Sequence, residues 1–207
     1  MLQVLSSVRP AWTLTGGAAL AGVHTGHRAT RDLDLFWQGA RQLGAIPQEV
    51  EAQLVAAGLS VTRIETSPSF VRLSASDAST AVVLDLVADP VPLAEPPMRV
   101  SIEGVEVLVD TRHQILVNKL CAVLSRSELR DLSDVQALIS VGGDLPRALT
   151  DAGHQDGGFS PLNLAWVLRE FPVRALAEAE GLSAEEAQAL EGFRAWFAER
   201  VAREGTP

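Results

Sequence analysis

Cysteine is almost missing from this sequence: Cys121 is the single one in 207 residues. One thiol forms no internal disulfide framework and no thiolate metal cluster, so a reducing cytoplasm is the expected compartment. Long apolar runs are missing as well. None approaches the roughly 18 to 20 residues that a membrane span needs, and Met1-Leu2-Gln3-Val4 lacks the charged and apolar regions of a signal peptide, so no membrane association and no export are expected. Positive charge is scarce. Seventeen Lys and Arg face 26 Asp and Glu, a formal net charge of −9. The shortage is shared, with 7 basic against 12 acidic groups in residues 1–110 and 10 against 14 in residues 111–207. The long-range field therefore does not attract nucleic acid phosphates, and any such contact has to be local. Lysine is scarcer still, since Lys119 stands alone among sixteen arginines.

What is present is the material of an ordinary globular fold, with 47% hydrophobic and 21% charged residues, 16 Gly and 11 Pro. Those proportions exclude collagen-like and disordered chains and permit one large domain or two small ones. Residues 11–14 read as a strand, Gly16-Gly17 as a turn, and Ala18 to Val23 as the start of a helix. Asp32 to Phe36 alternates polar and apolar side chains with the period of a strand. Pro47 opens a helix to about Ala57, strands are expected at about 59–66, 69–75 and 80–88, and 98–102 with 105–109 read as a hairpin around Glu103-Gly104. From Thr111 the apolar spacing turns helical, first at Ile115, Leu116, Leu120, Val123 and Leu124, then at Leu132, Val135, Leu138 and Ile139. Further helices are expected at 144–152, 161–170, 173–180 and 184–203, the last opened by a capping box of Ser183 and Glu186. The fold class is α+β, a mixed sheet with flanking helices over 1–110 followed by a helical part over 111–207.

Asp32 and Asp34 stand two apart on a strand, so both carboxylates point to one face while Leu33 and Leu35 point to the other. Like charges so close call for a divalent cation or a basic partner, and Mg²⁺ is the natural cation, with Mn²⁺ as a substitute. Asp85, inside the apolar run Ala81 to Val87, reads as a third metal ligand because an isolated ionised group there is costly. A solvated edge carrying Asp32 and Asp34, and a strand end marked by Asp85, is the competing reading. The Gly16-Gly17 turn between strand and helix tilts the balance, since backbone N–H groups at such a turn bind phosphate. A phosphate cradle with three carboxylates supplies the parts for metal-assisted phosphoryl or nucleotidyl transfer.

Gly16-Gly17-Ala18-Ala19-Leu20 followed by His27-Arg28-Ala29-Thr30-Arg31-Asp32-Leu33-Asp34-Leu35-Phe36 resembles the AbiEii/AbiGii toxin-like nucleotidyltransferases, a branch of the superfamily related to DNA polymerase β. Thr30 stands where that branch has serine. The resemblance resumes at Lys119, with Arg126 and Arg130-Asp131-Leu132-Ser133-Asp134 matching a lysine followed by Arg-x-x-x-Arg-Asp-x-x-Asp. It implies a nucleotidyltransferase fold whose helical part contributes to the same active-site cleft as the sheet. The implied reaction moves a nucleoside monophosphate from an NTP to an acceptor hydroxyl, in a bacterial toxin–antitoxin setting with a cognate antitoxin and tRNA as acceptor.

On that basis Asp32, Asp34 and Asp85 hold metal, and Asp85 also positions or deprotonates the acceptor. Gly16, Gly17, Arg28, Thr30 and Lys119 approach phosphate, and Asp131 or Asp134 completes the nucleotide site. Three other readings stay open: a small-molecule or protein adenylyltransferase, which suits the acidic charge; a non-catalytic nucleotide-binding module; and a hydrolase using the same metal site.

Several residues carry two readings each. His27 and Arg28 either approach the triphosphate or shape the loop, and exposed salt bridges compete for Arg126, Arg130 and Asp131. His24, His113 and His154 have no partner at metal-ligand spacing and read as surface or helix-end residues. Cys121 reads as a small buried hydrophobe, and Phe193, Trp196 and Phe197 as a core stripe.

Overall fold

The computed structural model describes residues 1–26, 28, 30 and 32–205. His27, Ala29 and Arg31, which carry part of the resemblance, lie outside the described residues. The chain divides into two compact units, Met1–Thr111 and Arg112–Pro207.

The first unit runs α1 (Leu2–Leu5), β1 (Thr13–Thr15), α2 (Gly16–Ala19) continuing as a π-helical turn over Leu20–Thr25, β2 (Asp32–Gln38), α3 (Ile46–Ala56), β3 (Ser60–Thr66), β4 (Phe70–Ser76), β5 (Ala81–Asp89), β6 (Met98–Ile102) and β7 (Val105–Val109). Its seven strands form one sheet in the order β3-β4-β5-β2-β1-β7-β6. At the centre, β2 is antiparallel to β1 and parallel to β5, and β1 is parallel to β7. Period-two alternation sets the faces of β2: Leu35 and Trp37 are buried, while Asp32 and Asp34 are half-buried opposite them. Leu14, Leu35, Leu84, Leu86 and Val109 fill the core with Val50 and Leu54 of α3.

Local chemistry explains the element ends. Glu103 and Gly104, with φ of 50° and 80°, form the two-residue turn joining β6 to β7, and two positive φ values match the right-handed twist of a hairpin. Pro47 lies in the first turn of α3, where its missing N–H leaves no helix bond unmade. Trp12 donates its indole N–H to the Leu5 carbonyl at 2.8 Å and so ties α1, which the sequence pattern did not announce, to the strand side of the unit.

The second unit is helical: α4 (Arg112–Arg126), α5 (Leu129–Ser140), α6 (Leu145–Gln155), α7 (Pro161–Glu170), α8 (Val173–Glu180) and α9 (Ala184–Glu204). The expected stripes are buried, with Ile115, Leu116, Leu120 and Val123 on α4 and Leu132, Val135 and Leu138 on α5. Ser183 and Glu186 make the capping box of α9, and Asp144 and Ser160 cap α6 and α7 by accepting from the N–H groups of Arg147 and Asn163. The aromatic stripe of α9 is core only at Phe197; Trp196 is 50% exposed. The helix rotates these residues about 100° apiece, which carries Trp196 out to the solvent side. Among the described residues no helix is long and apolar enough to cross a membrane.

Candidate active site

Strand register assembles a polar row across the sheet. Asp34 of β2 lies beside Asp85 of β5 on one side and beside Thr15 of β1 on the other. Asp85 faces Arg72 of β4, which in turn faces Glu65 of β3. Directly opposed residues share a face, so five polar side chains follow one another over five strands. The adjoining row, Leu35 beside Leu86, is buried on the other face.

The glycine turn meets this row at Asp34. Gly16 has φ of +59°, and a methyl group placed on it would sit 2.0 Å from Asp34 Oδ2. Only glycine adopts that backbone conformation without strain and leaves room for the carboxylate. A methyl on Gly17 would lie 2.8 Å from Arg28 Nη2 and 3.3 Å from Thr30 Oγ1. Gly16, Gly17, Arg28, Thr30 and Asp34 are thus gathered in one place. The helix that begins with the two glycines is four residues long before it widens into the π-helical turn, so it is the backbone's close approach, more than a long helix dipole, that the turn offers to an anion.

Mg²⁺ is held by one or two carboxylates together with water and substrate phosphates. Asp32 and Asp34, two apart on one face of β2, fit that donor set. Asp85, expected as a third ligand, is engaged otherwise: its Oδ1 and Oδ2 accept from Arg72 Nε and Nη2, each at 2.7 Å. Among the described residues no three acid, histidine or cysteine side chains are placed to hold a metal ion. A carboxylate in the middle of an apolar strand needs a counter-charge, and β4 supplies it as a guanidinium. The hydrogen bond to Asp85 raises the Arg72 pKa despite partial burial, with further support from the charges of Asp85, Glu65 and Asp32.

A second buried carboxyl escaped the sequence pattern. Asp110 follows β7, is fully buried, and accepts from Thr15 Oγ1 at 2.5 Å, which anchors the residue just before the glycine turn. His24, expected at the surface or a helix end, lies in the last turn of the π-helical segment and places Nε2 2.8 Å from the Asp110 carbonyl oxygen. Burial pushes the Asp110 carboxyl up from 3.8 to about 6; the Thr15 hydrogen bond opposes the rise and the charge of Asp89 adds to it. A carboxyl that holds its proton more tightly in the folded state stabilises the fold fully below its unfolded pKa, near 4, and loses that contribution as pH climbs to about 6. The difference is worth about 3 kcal/mol. Asp110→Asn is therefore expected to stabilise the protein at pH 7.5 by up to that amount and to give no gain at pH 4. Thermal melts at the two pH values check this, and an equal effect at both would refute it.

In the helical unit, α4 and α5 bring Lys119 between two acids. Lys119 Nζ lies 2.8 Å from Asp131 Oδ1 and 2.7 Å from Asp134 Oδ2, with Lys119 only 6% exposed and both carboxylates fully buried. Three-residue spacing on α5 aims both acids at the same ammonium. Arg126 adds two hydrogen bonds to Asp131, at 2.7 and 2.9 Å. Burial alone would raise the Asp131 pKa, but bonding to Arg126 and the charge and bond of Lys119 outweigh it and hold the carboxyl below its ordinary range. The lysine expected at phosphate thus already faces two protein carboxylates, and Asp131 and Asp134 are both used where one was expected to be. Arg130 bonds Glu128 at the surface.

His113 Nε2 sits 2.6 Å from Asp151 Oδ2, a partner 38 residues away that sequence spacing did not reveal. Cys121 is half-buried, and desolvation pushes its thiol up to about 11, too high for a nucleophile at neutral pH.

Residues 1–199 match the family described as nucleotidyl transferase AbiEii toxin, Type IV TA system. No curated protein sequence matches the chain. Among solved structures, JHP933 from Helicobacter pylori is similar with a TM-score of 0.55 at 18% identity, over 99% of this chain and 91% of that one. The nucleotidyltransferase toxin MenT4 from Mycobacterium tuberculosis has a TM-score of 0.59 at 14% identity, over 94% of this chain and 79% of that one. At such identities the structures establish a shared fold, and the family match extends over nearly the whole sequence. The chain belongs to the AbiEii nucleotidyltransferase toxin family.

Proposed function

We propose that this protein transfers a nucleoside monophosphate from an NTP to an acceptor hydroxyl, as the toxin of a toxin–antitoxin pair. The carrying observation is the closeness of Gly16 to the Asp34 carboxylate, with Arg28 and Thr30 beside Gly17; it supports a turn that binds phosphate next to the carboxylates of β2. Asp32 and Asp34 would hold a divalent cation, Mg²⁺ or Mn²⁺, which when bound neutralises phosphate charge and orients the triphosphate. Gly16 and Gly17 let the backbone approach phosphate oxygens, and Arg28 and Thr30 donate to them. The acceptor oxygen attacks the α-phosphorus, the bond to the β-phosphate breaks, pyrophosphate leaves, and the hydroxyl proton is lost to solvent. Lys119 matches the lysine of the family motif, and on that resemblance we assign it to substrate phosphate.

For the acceptor, the family setting suggests tRNA, whereas a net charge of −9 shared by both halves favours a protein hydroxyl or a small molecule. One experiment separates them. Incubation with each α-³²P-labelled NTP and Mg²⁺, with total tRNA, cell protein or a metabolite extract in turn, is expected to leave label covalently attached to one class. Release of free nucleoside monophosphate without attachment would identify a hydrolase, and an absence of any turnover would overturn the transferase reading. Co-purification of a partner expressed from the adjacent gene tests the antitoxin.

A further inference from the structure

The polar row contains a cation that the transfer scheme above does not use. Arg72 presents one edge, Nε and Nη2, to both oxygens of Asp85, and its guanidinium carbon lies 5.6 Å from the centroid of the Phe70 ring. Two contacts therefore fix both the plane and the direction of the group. The outer edge is different. Nη1 has no partner among the described residues, and the side chain is 41% exposed although it stands in a sheet face. The charge of Asp32 also acts on it, so that carboxylate lies within its electrostatic reach. A guanidinium held rigid on one edge and open on the other loses little conformational freedom when it takes an oxyanion, because its planar fork is already set.

We propose that Arg72 is a phosphate-binding residue of the nucleotide site, aimed by Asp85 and Phe70 so that its free edge receives oxygens of the triphosphate held at Asp32 and Asp34. This assignment rests on the nucleotidyl-transfer reading and adds a residue to it. It also gives Asp85 a purpose: the third carboxylate positions the guanidinium. Strand spacing supports the reach, since β4 and β2 are two spacings apart, about 10 Å, and Arg72 already spans the first of them to Asp85. Arg63, one strand further out, is by contrast occupied by Glu51 through both Nε and Nη2 and stands in β3 at the sheet edge.

Calorimetric titration of the full chain with inorganic tripolyphosphate in Mg²⁺ buffer tests the proposal without requiring turnover. Wild type is expected to bind, Arg72→Gln to weaken binding at least fivefold, and Arg72→Lys to recover less than half of the lost affinity. Melting temperatures supply the second readout. Lysine keeps the charge pair with Asp85, so a purely structural role predicts that Arg72→Lys restores the melt and that both variants bind like wild type. Affinity changed less than fivefold in Arg72→Gln, or no binding by wild type, overturns the proposal. The labelled-NTP assay separates the two readings: transfer by wild type with an unaltered KM in Arg72→Gln removes Arg72 and leaves the transferase standing, whereas no transfer by wild type removes the transferase whatever the calorimetry gives.

Discussion

Lys119→Ala is expected to destabilise the helical unit by about 3–5 kcal/mol, the usual consequence of removing one partner from a buried ion cluster. Asp131 and Asp134 are fully buried and both face this ammonium. Arg126 reaches Asp131 as well. The measurement is a denaturant or thermal unfolding curve of wild type and variant. Lost activity in Lys119→Ala would then say nothing about phosphate, because the fold has gone with it. The informative variant carries Lys119→Met, Asp131→Asn and Asp134→Asn together, which removes all three buried charges, leaves only the partly exposed Arg126, and is expected to recover most of the stability. If it folds and still transfers nucleotide, Lys119 is structural and its phosphate assignment fails. Acid adds a check: Asp131 is held below its ordinary pKa, so its contribution is complete above about 4 and drains away as pH falls through the lower, folded value.

Asp34→Ala is expected to lower nucleotidyl transfer at least about 1,000-fold with little change in melting temperature, since it removes a carboxylate proposed to hold the cation and its phosphates. Gly16→Ala is the sharper companion. It places a methyl group 2.0 Å from Asp34 Oδ2 at a backbone φ of +59°, and left-handed backbone costs a non-glycine residue about 1–2 kcal/mol. The carboxylate must turn away, so transfer is expected to fall about 100-fold while every acid remains in the chain. Gly22→Ala serves as the control, with nothing within 4 Å of the added methyl and no positive φ. Equal transfer rates in Gly16→Ala and Gly22→Ala would mean that the turn and the acid do not act together.

Much of this arrangement could be read from local patterns, because local rules govern it. Alternation placed Asp32 and Asp34 on one face of β2, Glu103-Gly104 marked the hairpin, and Ser183 with Glu186 marked the start of α9. Contacts between distant segments were not legible. Asp85 could be placed on a strand, but its partner depends on which strand lies next to β5 and in what register, and no periodicity encodes that. A usable signal did exist: Val71, Leu73 and Ala75 are buried while Phe70, Arg72 and Ser74 alternate with them, so the β4 pattern alone puts Arg72 on the polar face. Asp110 gave no comparable warning, since an acid ending a strand is ordinarily solvated. The lone lysine was noticed for its rarity and Asp131 and Asp134 for the motif, yet the pairing of both carboxylates with that ammonium depends on the Ser127-Glu128 turn that folds α5 back on α4.

The meeting of Gly16 with Asp34 depends on β1 pairing with β2 such that Thr15 lies opposite Asp34. A slip of one residue in that pairing would set Leu14 among the acids and turn Thr15, with its tether to Asp110, toward the hydrocarbon side. Neither arrangement grades into the other, so the competence of this centre is an all-or-none property, inherited from the alignment of two short neighbouring segments.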